Sequence, residues 1–234
     1  MEPGIAIAIG IIGYLIGSVS FARIVGKRVV PKADLSSTPL ELPGGATLDY
    51  GGVSATSVGA RTGPRWGIVV GVADMLKAFI PTLIVRLVWP DEDYYLIVAV
   101  AVMAGHIYPI YYRFQGGRGQ SPLYGGLLAV DWVAIPVTTA IGTALGLLVV
   151  RDMMVAYTLG QWLLIPWFMW RGSSAEVLYA IAINLLFTVA MIPETRRYFA
   201  LRRAGKLKQV ASWREFTQSH PAMGAGRHEA DPAD

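Results

Sequence analysis

Six apolar stretches, each about as long as a bilayer-crossing helix, restrict the possible folds of this chain more than any other feature. The hydrocarbon core of a bilayer takes about 17–25 apolar residues in helical form. Stretches of this length are residues 4–25, 67–89, 93–112, 132–150, 152–170 and 176–193. Of the 234 residues, 54% are hydrophobic and only 15% are charged, which is more apolar than ordinary soluble domains. The sequence therefore predicts an all-α polytopic membrane protein.

A seventh apolar stretch, residues 120–130, is too short to span a bilayer upright, so we expect a partial or tilted helix. The prediction is about seven transmembrane helices, one of them short. The acidic segment 90–93, which reads PDED, and Asp131 fall on one side of these spans. Basic residues gather on the other: Arg23, Lys27, Arg28, Lys32, Arg61, Arg65, Arg113, Arg118 and Arg151. The positive-inside rule then predicts an outside N-terminus and a cytoplasmic C-terminus.

The composition excludes several kinds of chemistry and predicts the ends of the chain. There is no cysteine, hence no disulfide and no thiolate nucleophile or metal ligand, and we expect no metal or other cofactor. No basic residue precedes the first span, so we expect it to be retained rather than cleaved as a signal peptide. The polar residues 213–234 are predicted to be a disordered cytoplasmic tail after one membrane domain, residues 1–212. The net charge of +4 indicates topology and attraction to anionic lipid, not nucleic-acid binding.

A histidine and a basic glycine loop stand together between two predicted helices. His106 lies at the end of one span, and residues 115–121 read QGGRGQS. Glycines can turn successive N–H groups toward one anion, and an arginine adds two parallel donors to a phosphate. The loop therefore predicts a phosphate site formed by Gly116, Gly117, Arg118 and Gly119. The alternative is a glycine turn that places an arginine at the level of the lipid headgroups.

Two further segments carry candidate residues. Residues 50–63 crowd glycines and hydroxyls before a span and could offer donors to a charged ligand, although a flexible linker would have a similar sequence. The candidates there are Ser54, Thr56, Ser57 and Arg61. Residues 29–48, which precede this segment, have the composition of variable surface sequence. Asp74 and Lys77 lie three residues apart on one face of the second span, so they indicate either a functional ion pair or a buried pair that fixes helix packing.

Taken in order, these segments resemble the bacterial acyl-phosphate-dependent glycerol-3-phosphate acyltransferases, the PlsY family, from Gly13 to about Gly205. Residues 105–119 are similar to the family motif GHxFPxxxxFKGGKG, and residues 13–21 to its opening GYLxGSxPF. The segment before the second span is similar to the loop GSGNxGATNxxRxxG, and residues 74–77 to DxxKG.

The resemblance implies a membrane enzyme of phospholipid synthesis in the bacterial inner membrane. Its reaction would move a fatty acyl group from acyl phosphate to the 1-hydroxyl of glycerol 3-phosphate, giving lysophosphatidic acid without coenzyme A or a metal. The family has seven membrane helices, and its active site is formed by cytoplasmic loops. By this resemblance Ser18, His106 and Arg118 line the reaction centre. The implied substrate-binding residues are Ser54, Thr56, Ser57, Arg61, Asp74, Lys77, Gly116, Gly117 and Gly119.

This chain also departs from the family pattern. Gln115 and Arg118 replace the lysines of KGGKG, and alignment of the closing motif HxxNIxRLxxG on Gly205 puts Thr195 and Tyr198 at its histidine and asparagine. Two alternatives follow: a noncatalytic relative that binds lipid or phosphate, and a small transporter that uses Asp74 and Lys77 as a relay. The enzyme hypothesis predicts that Ser18, Arg61, His106 and Arg118 converge on one pocket at the cytoplasmic boundary.

Overall fold

The computed structural model describes residues 1–42 and 46–207, and the predicted tail lies outside the described residues. Ten α-helices and one antiparallel hairpin make up most of this part of the chain. The helices are α1 Pro3–Gly17, α2 Phe21–Val29, α3 Ala55–Thr62, α4 Pro64–Val88, α5 Tyr94–Ile107, α6 Gln120–Val130, α7 Ala134–Ala144, α8 Met153–Trp162, α9 Leu164–Arg171 and α10 Ser174–Arg203. The strands are β1 Ser37–Glu41 and β2 Thr47–Gly51.

Four helical stretches are long and apolar enough to cross a membrane. They are Pro3–Val29, Pro64–Val88, Tyr94–Tyr112 and Ser174–Arg203. A shorter apolar stretch, Ala134–Val150, continues α7 through a π-helical turn, and α6 has the short length predicted for it. Large apolar side chains such as Leu87 and Leu148 are exposed on these helices. Such a surface suits a lipid environment, so the helical part of the fold prediction is confirmed.

The first predicted span is interrupted near its end. Helix α1 ends at Gly17, and α2 begins at Phe21 after a short turn. The Ser18 hydroxyl donates to the carbonyl of Tyr14 at 2.8 Å, and the Ser20 hydroxyl accepts from the backbone N–H of Arg23 at 3.3 Å. Because these hydroxyls satisfy backbone groups at a helix end and a helix start, the turn forms where the two serines stand.

The predicted span 152–170 is two helices rather than one. Helix α8 ends at Trp162, and α9 begins at Leu164 and contains Pro166. Proline has no N–H to donate to the carbonyl four residues back and its ring crowds that carbonyl, so the helix breaks at this point.

The last helix extends ten residues beyond residue 193, where the predicted span ends. It starts with a reciprocal cap, in which the Ser173 N–H donates to the Glu176 carboxylate at 2.8 Å and the Glu176 N–H donates to the Ser173 hydroxyl at 3.2 Å. It then continues through Pro193 to Arg203. The basic segment that follows the last span is therefore the C-terminal part of α10.

Glycines allow α1 and α5 to pack at backbone distance. A Cβ on Gly17 would lie 2.1 Å from the Val102 carbonyl oxygen, and a Cβ on Gly105 would lie 2.1 Å from that of Tyr14. No other residue fits at these positions without moving a helix. The contact fixes the end of α1 beside the end of α5, which carries His106.

The hairpin lies in a segment that the sequence pattern describes as surface. Strands β1 and β2 pair in register from Ser37 opposite Gly51 to Glu41 opposite Thr47. Leu42 and Leu48 are buried against Tyr198 of α10. The last helix therefore holds the hairpin, and this places the end of β2 over the glycine loop.

Candidate active site

The glycine loop, residues 115–119, joins the end of the α5 region to α6 and is tied down by backbone hydrogen bonds. The Gly117 N–H donates to the carbonyl of His106 at 3.2 Å, and the Gly116 carbonyl accepts from the Val53 N–H at 3.2 Å. Of its three glycines, Gly119 alone has a positive φ, +88°. At Gly117 a Cβ would lie 2.4 Å from Nε2 of His106. Close contact with the imidazole, rather than a left-handed backbone, explains that glycine.

Lys77 joins a buried cluster behind this loop. Its Nζ lies 2.8 Å from Oδ1 of Asp74, 3.0 Å from Nδ1 of His106 and 2.7 Å from the carbonyl of Val19. The ammonium hydrogen-bonds to the Val19 carbonyl and to His106, and it forms an ion pair with the Asp74 carboxylate. The predicted pairing of Asp74 with Lys77 is therefore present. The His106–Asp74 separation, 3.5 Å, is longer than an ordinary hydrogen bond, so we assign Nδ1 as the acceptor and place the imidazole proton on Nε2, toward Gly117.

Ser18 lies fully buried at the junction of α1 with the end of α5. Its hydroxyl donates to Tyr14, as described above, and accepts from the backbone N–H of Ile110 at 3.3 Å. The second of these hydrogen bonds joins the end of α1 to the segment that follows α5. In this arrangement Ser18 fixes the two helix ends next to each other and does not face the pocket.

A pocket of about 350 Å³ opens on the other side of the loop. Two arginines, Arg23 and Arg118, lie in its wall together with Gly116. Val189 and Ala190 of α10 form an apolar part of the wall. Arg23 also donates to the carbonyl of Gln115 at 2.8 Å, which holds its guanidinium against the loop. The pocket thus combines cationic donors with an apolar surface.

Arg118 forms an ion pair with Glu194 of α10. The Glu194 side chain is fully buried, and its Oε1 also accepts from the Gly51 N–H at 3.1 Å. This carboxylate is not among the site residues predicted from the sequence. One feature of the sequence could have indicated it: Glu194 is the one acidic residue in the basic segment 193–208. An acidic residue where a span ends needs a cationic partner.

Arg61 and the hydroxyls near it lie apart from the pocket. Arg61 donates to the carbonyl of Ser37 at 2.9 Å. The Ser57 hydroxyl accepts from the Ser54 N–H and donates to the Ser54 carbonyl, both at 2.9 Å, at the start of α3. Within residues 1–42 and 46–207, the pocket wall includes none of Ser54, Thr56, Ser57 and Arg61. Of the four side chains expected to converge, Arg118 reaches the pocket, His106 and Ser18 lie behind the loop, and Arg61 contacts the hairpin.

Tyr50, at the end of the hairpin, completes the surroundings of Arg118. Its ring centroid lies 5.9 Å from the Arg118 guanidinium carbon. Burial raises the pKa of Tyr50 to about 12, so its hydroxyl is neutral at physiological pH. Among the residues that the structure describes, the arginine therefore pairs with one anionic group, Glu194, and lies beside one neutral aromatic ring.

A set of apolar helices with an arginine-lined pocket where several of them end defines a helical membrane protein with a site suited to an anionic, partly apolar ligand. The family model described as glycerol-3-phosphate acyltransferase matches residues 7–201. The chain belongs to the glycerol-3-phosphate acyltransferase family.

Individual relatives agree with this assignment. A glycerol-3-phosphate acyltransferase of Cupriavidus metallidurans is 32% identical over 176 residues, which are 73% of this chain and 71% of the relative. One from Legionella pneumophila (strain Corby) is 29% identical over 185 residues, 78% of this chain and 54% of the relative. The chain thus spans about half the length of the Legionella relatives that it matches.

Two crystal structures of PlsY (YgiH), an integral membrane glycerol 3-phosphate acyltransferase, share the fold. The glycerol 3-phosphate form has a TM-score of 0.65 and 24% identity, and the lysophosphatidic acid form 0.66 and 23%. Each comparison covers 87% of this chain and 94% of the other. The helical membrane fold predicted from the apolar stretches is the fold of these proteins.

Proposed function

We propose that this chain transfers a fatty acyl group from acyl phosphate to the 1-hydroxyl of glycerol 3-phosphate, forming lysophosphatidic acid for phospholipid synthesis. In this step the hydroxyl oxygen bonds to the acyl carbonyl carbon, and the bond from that carbon to the phosphate oxygen breaks. The hydroxyl proton leaves with inorganic phosphate. The observation that carries the proposal is a pocket with Arg23 and Arg118 on its polar side and α10 on its apolar side.

The chemistry of the substrates fits such a pocket. Both substrates carry phosphate, and guanidinium groups bind phosphate through paired, charge-assisted hydrogen bonds. Acyl phosphate is already activated for transfer. The protein therefore needs chiefly to position the two substrates and to stabilise the negative charge that develops on the carbonyl oxygen and on the departing phosphate.

The geometry suggests two kinds of role for the predicted site residues. Arg118 and Gly116, which line the pocket, would bind phosphate, and Gly117 and Gly119 would give the loop the shape that this requires. His106 would hold the shape of that loop from behind, with Lys77 and Asp74 fixing its ring. Ser18 would keep α1 against α5. The remaining candidates, Ser54, Thr56, Ser57 and Arg61, would act through α3 and the hairpin, which cover the loop.

We infer a topology of seven membrane segments with the N-terminus outside and the C-terminus in the cytoplasm of a bacterial cell, in its inner membrane. One support is the positive-inside rule. The other is that α7 with its π-helical turn can form one of the two shorter crossings, and α8 with α9 the other. This orientation would put Arg23 and Arg118 at the cytoplasmic boundary. A soluble phosphate ester and a membrane-bound acyl donor could meet there.

Acyl transfer by purified protein tests the proposal. The protein in lipid is given labelled glycerol 3-phosphate with either acyl phosphate or acyl coenzyme A, and the labelled lipid product is measured. We expect lysophosphatidic acid with acyl phosphate and none with acyl coenzyme A. If no labelled lipid forms with either donor, the proposed activity is contradicted.

A noncatalytic relative that binds lipid or phosphate is the second candidate. Two observations favour it: Glu194 already neutralises Arg118, and Thr195 and Tyr198 stand where the related motif has histidine and asparagine. This alternative predicts that glycerol 3-phosphate raises the melting temperature of the protein while no donor supports turnover. The transfer assay and the melting experiment together separate the two candidates.

A further inference from the structure

Three separate segments of the chain meet at one fully buried carboxylate, that of Glu194. The carboxylate lies on α10 directly after Pro193, which is part of the pocket wall. It pairs with Arg118 of the glycine loop and accepts from the N–H of Gly51 at the end of the hairpin. A carboxylate in such surroundings is stable only with partners of this kind.

The end of the hairpin is fitted closely around this ion pair. A Cβ on Gly51 would lie 2.8 Å from Nη2 of Arg118 and 3.3 Å from Oε1 of Glu194. A Cβ on Gly52, whose φ is +100°, would lie 2.8 Å from the Gly116 carbonyl oxygen. The glycines thus allow the hairpin to press on both the arginine and the loop, so a shift of Glu194 would move the whole assembly.

We propose that Glu194 is a positioning residue that holds the Arg118 guanidinium in the orientation needed to bind substrate phosphate. The guanidinium is planar, so a carboxylate on Nη2 and the Tyr50 ring beside it restrict the orientation of that plane. The Arg118 side chain is 17% exposed, and it lines the pocket. Its Nε is buried without a hydrogen-bond partner among the described residues, so the group keeps donor capacity beyond the ion pair. This inference rests on the proposed function because it assigns Arg118 to phosphate.

The opposite role for the same carboxylate makes a different prediction. If Glu194 merely competed with phosphate for Arg118, its removal would free the arginine and strengthen phosphate binding. If Glu194 positions Arg118, its removal leaves a long, flexible cation with several orientations, and phosphate binding weakens. The sign of the change in apparent KM for glycerol 3-phosphate therefore decides between the two roles.

The experiment compares Glu194→Gln and Glu194→Asp with the wild type in the acyl-transfer assay. Loss of one charge-assisted contact corresponds to about a tenfold change. We expect Glu194→Gln to raise the KM for glycerol 3-phosphate about tenfold with kcat within about twofold. The Glu194→Asp variant keeps the charge and should recover part of that loss. In an Arg118→Ala background, Glu194→Gln should change KM by less than about twofold, because the two residues act as one unit.

Asp152→Asn is the matched control. Asp152 is a buried carboxylate at the start of α8 that pairs with Arg202 of α10. Asp152 lies outside the pocket wall. Its replacement should lower the melting temperature as Glu194→Gln does, but leave the KM for glycerol 3-phosphate within about twofold. An unchanged or lowered KM in Glu194→Gln, or an equal rise in Asp152→Asn, would overturn the inference.

A second measurement keeps the inference testable without turnover. Glycerol 3-phosphate is added to wild type and Glu194→Gln, and the ligand-induced rise in melting temperature is compared. A smaller rise in the variant supports the positioning role even if no acyl donor is accepted, and that result would contradict only the proposed reaction. An equal or larger rise overturns the inference, and no rise in the wild type overturns both.

Discussion

Buried charged side chains carry the main constraints at the scale of single residues. Lys77 and Asp74 have side chains only 4% and 2% exposed, so neither can be solvated. Each is stable because it faces the other, and the ammonium also meets His106 and the Val19 carbonyl. A buried charge that loses its partner costs far more than a surface charge that does. These residues therefore couple stability to the shape of the glycine loop.

Lys77→Met should destabilise the protein strongly. The change keeps the volume and removes the ammonium, so the Asp74 carboxylate is left buried and unpaired at a cost of about 3–5 kcal/mol. Thermal unfolding in detergent measures the effect as a change in melting temperature. Adding Asp74→Asn to Lys77→Met should recover part of the loss, and a double variant no more stable than the single one would contradict this account.

Gly117→Ala should lower activity without unfolding the protein. The new Cβ would meet Nε2 of His106 at 2.4 Å, so the loop or the ring must move. Displacement of substrate-binding groups by about 1 Å costs up to about a hundredfold in rate, and we expect a loss of at least about tenfold in acyl transfer. Gly71→Ala is the control, since its Cβ would lie an ordinary 3.6 Å from Ala55. Equal activities of the two variants would refute the assigned contact.

Side-chain pairs could be predicted from the sequence only when the two residues are close together in the chain. Asp74 and Lys77 could be paired from sequence because residues three apart share a face of a helix. Arg118 and Glu194 are 76 residues apart, and nothing local to either one indicates the other. The sequence predicts Arg61 in the pocket because it is a cation in the glycine- and hydroxyl-rich segment 50–63. Its guanidinium instead donates to the carbonyl of Ser37, in a hairpin that the sequence did not predict.

At the scale of elements, close helix packing depends on small residues at a few contacts. The α1–α5 contact is one, and α7 and α8 form another, where a Cβ on Gly142 would lie 2.2 Å from the Gly160 nitrogen. In lipid, helices gain little from burying apolar surface, so close backbone approach is a main source of their association. The glycines thereby determine where the helix ends, and the residues on them, are placed.

Gly17→Ala should weaken the α1–α5 contact, whereas Gly4→Ala in the same helix should not. The Gly17 Cβ would lie 2.1 Å from a backbone oxygen of α5, but nothing lies within 4 Å of a Cβ on Gly4. Overpacking of this kind costs about 1–3 kcal/mol. The two melting temperatures measure the difference. A Gly17→Ala variant as stable as Gly4→Ala would show that the helices are not in contact there.

The apolar helices were predictable as elements, but the hairpin and the helix breaks were not. A run of about twenty apolar residues indicates a helix in lipid without any tertiary information. The hairpin alternates only weakly in polarity and contains Pro39, so its formation depends on the packing of Leu42 and Leu48 against Tyr198. The break after Trp162 follows from Pro166, which the apolar pattern alone conceals.

At the scale of the whole molecule, the ends of α1, α5 and α10 and the start of α6 lie together around the loop. Helices that alternate in direction bring every second connection to the same side, so residues far apart in sequence form one pocket. The proposed topology puts most of the basic connections on that side. The same charge asymmetry should set the orientation of the protein in the membrane.

Cysteine labelling should confirm this orientation. Because the chain contains no cysteine, a single substitution gives one reactive thiol. Asp91→Cys, at an exposed position between α4 and α5, should react with a membrane-impermeant maleimide from outside the inner membrane. Lys206→Cys, exposed after α10, should react only after permeabilisation. The reverse pattern, or equal reaction at both positions, would contradict the proposed topology.

The most direct test of the central claim is the initial rate of lysophosphatidic acid formation as a function of glycerol 3-phosphate concentration, for the wild type and for Arg118→Ala. Loss of a charged group that binds phosphate in a partly buried pocket costs about 2–5 kcal/mol. We therefore predict that Arg118→Ala, assayed below a melting temperature that the unpaired Glu194 carboxylate lowers, raises the KM for glycerol 3-phosphate at least about thirtyfold or abolishes transfer. A folded Arg118→Ala variant with the kinetics of the wild type would contradict the claim that this pocket binds the phosphate of the substrate.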